Sequence, residues 1–482
     1  MVIFSKIAER KTKPEVKMNW DKLKSPNTFL LIFLLIILTA MMTYLLPGGE
    51  YQFIESGGRK IVDPQSYQAV PGNPQGIGAI LKAPIRGFIA AAQIIGFVLL
   101  VGGAFSVLQK TETIDVAIRV LANAHQHSPL IRKAIIPVFM IIFSLAGAVF
   151  GMSEEVIPFV LLFIPLALAL GYDTVTGVAI PFVGAAAGFA SAFINPFTLG
   201  VAQGIAQLPP LSGFGYRFFC WTLTTGLAIL YVNRYALKIK NDPQKSITFE
   251  QDQKRKQKLH IENMNSELSL DVRHKTVLVI FTLSMFALVA GVMLDQWYIN
   301  EIAALFVATG IIVGIVGRLS VDEITGGFIQ GAKDLMGTAF VIALARGILI
   351  IAQDGKIIGT ILHGLSSIIT GVHPVMAAQL MFVVQMLINF FIPSGSGQAA
   401  LTIPIMAPLS DLLGVSRQTA VLAFQFGDGF SNLIIPTSAV TMGVLALAEI
   451  PWEKWVKWIL PLEILFIILS LVLLIPPFFI NW

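Results

Sequence analysis

Charge and cysteine are what this 482-residue chain has least of: charged residues make up 13% and cysteine occurs once, at Cys220. A soluble globular protein carries roughly 25% charged residues, so that class is excluded. One cysteine rules out an intramolecular disulfide, and the apolar run around it points to core packing. The signatures of phosphate cradling and of common hydrolysis are also missing. There is no Walker A loop, no His-Glu-x-x-His and no Gly-x-Ser-x-Gly, which removes support for primary pumping and for those hydrolases. His125 and His127 stand beside Lys and Arg with no metal-ligand set, so neither a metal nor another cofactor is expected. The net charge of +5 is no nucleic-acid signature, because the basic residues flank apolar runs. No small-residue cleavage site adjoins the seven Lys/Arg of residues 1–28, so no cleaved signal peptide is expected.

What the chain does have is apolar length. Hydrophobic residues reach 55%, and several runs exceed the roughly 18 residues that mark a membrane span. The chain reads as an all-α polytopic membrane protein. Residues 1–27 form a basic tail and 28–232 a first repeat. Residues 233–275 carry ten Lys/Arg and read as a solvated cytoplasmic linker. Residues 276–482 hold a linking span, a short Asp295-Gln296-Trp297-Tyr298 turn with interface aromatics, and a second repeat. Within the first repeat, Ala134–Phe150 and Val156–Leu170 are each short for a full span and meet at a Gly/Ser/Glu tip near 151–156. That pattern predicts a re-entrant helical hairpin. The helix after Asp173 is predicted to break near 188–198. The second repeat has the same plan: Val375–Phe391 and Ala399–Leu413 flank a tip near 392–398, and a helix breaks near 427–438.

The two halves match at an offset of 240–244 residues. Gly87-Phe88-Ile89 matches Gly327-Phe328-Ile329, Gln109 matches Gln353, and Pro165 and Gly171 match Pro408 and Gly414. Gly188-Phe189-Ala190-Ser191, with Pro196 behind, matches Gly429-Phe430-Ser431-Asn432, with Pro436 behind. Placing the N-terminus inside and counting each hairpin as non-crossing puts 109–133, 233–275 and the turn with Lys454 and Lys457 on the inner side, as the positive-inside rule requires. The first hairpin then enters from the inside and the second from the outside, so the repeats are predicted to be inverted. Inverted repeats are a mark of secondary transporters.

The candidate substrate-binding residues lie at these interruptions, where half-helix ends expose backbone N–H and C=O groups. From the first half they are Ser153, Glu154, Glu155, Ser191, Asn195 and Thr198. From the second they are Ser394, Ser396, Gln398, Asp428, Ser431, Asn432 and Thr437, with Ser438 beside them. Ser and Asn can equally close the broken backbone's own hydrogen bonds. Glu155 falls on Gln398 at the 243 offset, so acidity is lopsided between the halves. Glu154, Glu155 and Asp428 favour a cationic group or carry coupling protons, unless the glutamate pair only faces cytoplasmic water. Arg346, within a span, could neutralise an acid, meet a substrate carboxylate or snorkel to a membrane face. Two rivals fare poorly. The Gly-x-Gly-Asp of intramembrane aspartyl proteases is not matched, since Gln425 takes its first position. A channel needs a symmetric pore ring, whereas this repeat lies within one chain.

Gly151-Met152-Ser153-Glu154-Glu155, Asn195-Pro196-Phe197-Thr198, Pro393-Ser394-Gly395-Ser396-Gly397-Gln398 and Gly427-Asp428-Gly429-Phe430-Ser431-Asn432 resemble the ion transporter superfamily. More closely, the chain is similar to YfcC-type carriers, grouped with the anaerobic C4-dicarboxylate carriers. The resemblance covers essentially everything after the basic tail. It implies an elevator-like motion of a transport domain against a dimeric scaffold. It also implies a small-molecule substrate, with arginine/ornithine-type exchange foremost and proton- or sodium-coupled uptake of C4-dicarboxylates, other carboxylates or peptides as the alternative. The expected setting is a bacterial-type inner or plasma membrane, with the N-terminus cytoplasmic, a homodimer in lipid and no nucleic acid.

Overall fold

The computed structural model describes residues 28–56, 59–63, 65–258, 270–295, 297–369, 372–480 and 482. The expected basic tail, residues 259–269 of the linker and Gln296 of an expected interfacial turn lie outside the described residues. The described part is almost wholly helical, and seven of its helices are long and apolar enough to cross a membrane. Leu30, Leu34, Leu38, Phe286, Leu294 and Ile468 stand exposed on outward faces, as they do where the surrounding solvent is hydrocarbon.

The first half runs α1 (Thr28–Leu45), four short strands, α2 (Ile77–Ala90), α3 (Ala92–Lys110), α4 (Thr113–His127), α5 (Pro129–Phe150), α6 (Val156–Ala169), α7 (Thr174–Ala190), α8 (Leu199–Ile205) and α9 (Phe214–Asn241). The strands form two antiparallel pairs, β1 (Gly48–Glu50) with β4 (Gln68–Val70) and β2 (Phe53–Ser56) with β3 (Arg59–Val62). Next come α10 (Phe249–Lys258) and α11 (Val272–Asp295). The second half runs α12 (Ile299–Val316), α13 (Val321–Asp334), α14 (Met336–Asp354), α15 (Ile357–Ser367), α16 (Pro374–Phe391), α17 (Gly395–Leu412), α18 (Arg417–Ser431), α19 (Ala439–Ala448) and α20 (Trp452–Leu473).

The order of elements recurs with the sequence offset. α2 and α13 are 14 residues each and start 321 − 77 = 244 apart; α3 and α14 are 19 each and start 336 − 92 = 244 apart. Left-handed backbone recurs at Glu112 and Lys356 and at Gly171 and Gly414. The packing is reciprocal. Gly87 on α2 abuts the Ala343 carbonyl and Gly347 on α14, while Gly331 on α13 abuts Gly102 and Gly103 on α3. Small residues let membrane helices approach to backbone contact.

Local chemistry sets the boundaries. Ser128 caps α5 ahead of Pro129, and Gly151 ends that helix at φ 76°, a conformation that favours glycine. Asp173 and Ser416 cap α7 and α18 by accepting from the N–H groups of Thr176 and Thr419. Three boundaries differ from the sequence reading. α5 starts at Pro129 and is long enough to cross. In the second hairpin only Ile392–Ser394 is unwound, because Gly395–Gln398 form the first turn of α17. α18 continues through Gly427 and Gly429 to Ser431. These glycines are points of close approach rather than breaks: Gly427 faces Gln385 and the Phe382 carbonyl, and Gly429 meets Ala190 where α18 crosses α7.

The charged linker also differs from a solvated strand of chain. α9 continues to Asn241, and α10 docks on the helices around the site. The carboxylate of Asp252, 4% exposed, accepts from the N–H of Thr174 at 3.2 Å, its hydroxyl at 2.5 Å and the Thr248 hydroxyl at 2.8 Å. Arg255 donates to the Thr174 hydroxyl at 2.8 Å and the Ala448 carbonyl at 2.7 Å. An acid thus meets the start of α7 and a base the end of α19, complementing both helix dipoles.

Candidate functional site

The two tips and the two breaks converge. Asn195 closes the first break by donating to the Thr198 hydroxyl at 2.7 Å and accepting from the Phe197 N–H at 3.0 Å, and its side chain packs against Gly151 of the first tip. Gly395 at the second tip presses on the Thr198 methyl, and a Cβ there would lie 3.1 Å from Oδ2 of Asp428. Gln425 on α18 donates to the Phe189 carbonyl at 2.7 Å and the Thr198 hydroxyl at 2.9 Å. Atoms more than 200 residues apart in the chain are held in one knot.

Against this knot lies a cavity of about 270 Å³. One wall is Ser153, Glu154, Glu155, Thr198, Ser394, Ser396, Asn432, Thr437 and Ser438. The other comes from the α2–α3 junction, α12 and α14, with Gln93, Tyr298 and Arg346 as its polar groups. Phe197 reaches across to the Tyr298 ring, with centroids 5.3 Å apart. Glu155 folds back to accept from the Ser153 N–H at 3.0 Å. The partly buried Glu154 lies within electrostatic reach of Arg346. Thr437 is 3% exposed, and among the described residues no partner reaches its hydroxyl.

The remaining candidate residues lie outside the cavity. Ser191 turns to α9, donating to the Ala187 carbonyl at 2.5 Å and accepting from Thr224 at 2.8 Å. Asn195 is spent on the break. Gln398 joins the arms of the second hairpin through Gln385, 2.7 Å away. Ser431 donates to the Gly427 carbonyl at 2.6 Å and accepts from Asn389 at 2.8 Å. Asp428 sits behind the second tip. Conversely, the residue reading passed over Gln93 and Gln425 and took Tyr298 only for an interface aromatic.

Helix direction sets the field. Glu155, Ser394 and Ser438 are the N-cap residues of α6, α17 and α19, and all three line the cavity. Among the described residues, no side chain caps α6 or α17. Each N-terminus carries roughly half a positive charge. At α6 the Val156 and Ile157 N–H groups are taken by the Ser153 and Glu154 carbonyls and Pro158 has none, whereas at α17 the N–H groups of Gly395, Ser396 and Gly397 stay open, so the backbone can hold a carboxylate there.

A chain from Escherichia coli (strain K12), printed as "Putative basic amino acid antiporter YfcC", is 36% identical over 476 residues, covering 90% of this chain and 92% of that one. A Haemophilus influenzae protein without an assigned function is 28% identical over 494 residues, with 93% and 96% covered. Among solved structures, the YdaH transporter of Alcanivorax borkumensis is similar at 16% identity and TM-score 0.43, covering 95% of this chain and 99% of that one. MtrF of Neisseria gonorrhoeae, from a class of antimetabolite efflux pumps, is similar at 18% identity and TM-score 0.43, covering 93% and 94%. The model of the C4-dicarboxylate anaerobic carrier family matches residues 25–477; the chain belongs to that family and is a multi-pass membrane transporter of small molecules rather than an enzyme.

Proposed function

We propose that the protein is a basic amino-acid antiporter of the arginine/ornithine type. The observation that carries this reading is the pairing, in one cavity, of the uncapped N-terminus of α17 with Glu154. The α-carboxylate binds at the start of α17, and the guanidinium or ammonium meets Glu154. Charge counting favours this ligand. Glu154 and Glu155 against Arg346 give −2 + 1 = −1, which a basic amino acid of net +1 brings to zero and a dicarboxylate brings to −3. Unbalanced charge in a low-dielectric site costs several kcal/mol per ion. The name of the Escherichia coli relative points the same way.

In this reading α5–α8 and α16–α19 form a transport domain that moves, elevator-like, against a dimeric scaffold of α1–α3 and α12–α14. The recurring element order and reciprocal packing support inverted repeats. The basic residues of 233–275 support an inner-membrane protein with a cytoplasmic N-terminus. Arg346 in the cavity favours a second reading, ion-coupled uptake of C4-dicarboxylates, the substrates for which the family is named. Counterflow in proteoliposomes decides between them. Arginine loaded inside should drive uptake of labelled ornithine with no ion gradient. Uptake of a dicarboxylate that collapses with the ion gradient, without arginine exchange, would overturn the proposal.

A further inference from the structure

The first hairpin borders a second hollow, of about 570 Å³ against about 270 Å³ for the cavity at the tips. Its walls are α4, α5, α6 and α11. On α4 the lining residues Ile114, Ala117, Ile118 and Leu121 recur at helical spacing, so one face of that helix is turned inward. Among the described residues, every side chain that lines the hollow is apolar. Ala117 and Ala146 leave open the space that larger side chains would take. Phe143, Phe163 and Leu288 are 5%, 6% and 3% exposed, whereas Ile142 and Leu145 form a rim at 52% and 38%.

The hollow faces the bilayer. Val138 and Ile141 on α5 and Val279, Leu283 and Phe286 on α11 stand exposed around it, as surfaces in hydrocarbon do. α5 and α11 run side by side in one direction, since Gly151 just past α5 and Val292 and Tyr298 at the end of α11 line the same cavity at the tips. The lined stretch of α5 runs from Phe139 to Phe150, about 16 Å at about 1.5 Å per residue. That is about half of a hydrocarbon core roughly 30 Å thick, the depth of one leaflet. Water finds no polar partner in such a space, and an empty one forfeits dispersion contacts on every wall. α5 and α11 touch, so nothing as wide as a helix, about 10–12 Å, passes between them. The occupant that fits is apolar, flexible, thin and one leaflet long.

We propose that this groove binds one acyl chain of a bilayer phospholipid, drawn from the leaflet on the α4 side. The chain enters past Ile142 and Leu145 and lies along Phe143, Phe163 and Leu288. It completes a core that the protein's own side chains leave open, and joins the first hairpin to the wall of α4 and α11. The inference does not depend on the identity of the substrate.

The test places the full-length protein in nanodiscs of phosphatidylcholine seeded with an analogue that carries a diazirine on one acyl chain. After irradiation, adducts are mapped by mass spectrometry. They should appear on the buried Phe143, Phe163 and Leu288 as well as on the outward-facing Leu34 and Leu38 of α1. Ala146→Trp plugs the groove and should abolish the groove adducts while those on α1 persist. Should Ala146→Trp fail to fold, Ala117→Phe plugs the groove from the opposite wall. Adducts confined to outward faces would overturn the proposal, and so would groove adducts that survive the plug. The adducts are read without transport, so groove labelling in a protein that exchanges no amino acid would sink only the proposed substrate.

Discussion

Gln425 on α18 donates at once to the Phe189 carbonyl of α7 and the Thr198 hydroxyl, tying the second broken helix to both sides of the first break. Replacing it with leucine strands the buried Phe189 carbonyl and leaves the Thr198 hydroxyl with the Asn195 donor alone. Gln425→Leu should lower stability by about 1–3 kcal/mol, seen as a lower unfolding midpoint in detergent. An unchanged midpoint would mean that the tie is not a structural element.

The two glutamates of the first tip should separate by role. Glu154 faces the cavity beside Arg346, whereas Glu155 accepts from the Ser153 N–H. Removing one member of a desolvated charge pair costs about 2–5 kcal/mol, and each 1.4 kcal/mol is about tenfold. Glu154→Gln should therefore cut kcat/KM for arginine by at least about tenfold without changing the unfolding midpoint. Glu155→Gln keeps an acceptor oxygen for the Ser153 N–H, so the turn stays closed and its transport defect should be smaller. Equal transport defects in both variants would refute the separation.

Two glycine-to-alanine changes should have opposite signs. Alanine in a helix interior gains about 1 kcal/mol over glycine. At Gly364 on α15 nothing lies within 4 Å of an added Cβ, so the gain should appear. At Gly331 the added carbon runs into the Gly102 carbonyl, which is backbone and cannot swing aside. Overpacking of about 1–3 kcal/mol should outweigh the gain. Thermal midpoints of Gly364→Ala and Gly331→Ala, measured side by side, check this.

The docked linker helix can be tested without transport. Asp252 holds α10 to Thr174, and Arg255 holds it to the end of α19. Asp252→Ala should free α10 and speed tryptic cleavage at Lys254 and Arg255 by about tenfold, the effect of losing 1.4 kcal/mol of local stability. Cleavage at the wild-type rate would show that α10 is held by something else.

The first tip and first break were open to reading because their residues do one thing each. Gly151 adopts a left-handed turn, and Ser191–Thr198 contains the Pro and Asn that interrupt a helix. The second half was harder. Glycine marks both turns and close approaches, so Gly427 and Gly429 read as a break although they are contact points on a continuous helix. Gly395-Ser396-Gly397 read as loop although the first turn of a helix accepts such residues readily. Arg346 and Tyr298 suited a membrane face as well as a site, and only the packing of α12 and α14 against the knot turns them inward. The docking of α10 was hidden for another reason: Asp252 and Arg255 pair with helix ends, which carry no side-chain signature.

The direction of α6, α17 and α19 has a further consequence. A positive potential made by peptide dipoles does not depend on any side chain, so substitution cannot readily remove it. The groups that would select the rest of a substrate, Glu154 and Arg346, are single side chains that one exchange each can recast. On the proposed reading, the cavity pairs a fixed anchor for carboxylates with an editable selector. A chain built this way would change its cargo from amino acid to dicarboxylate without being refolded.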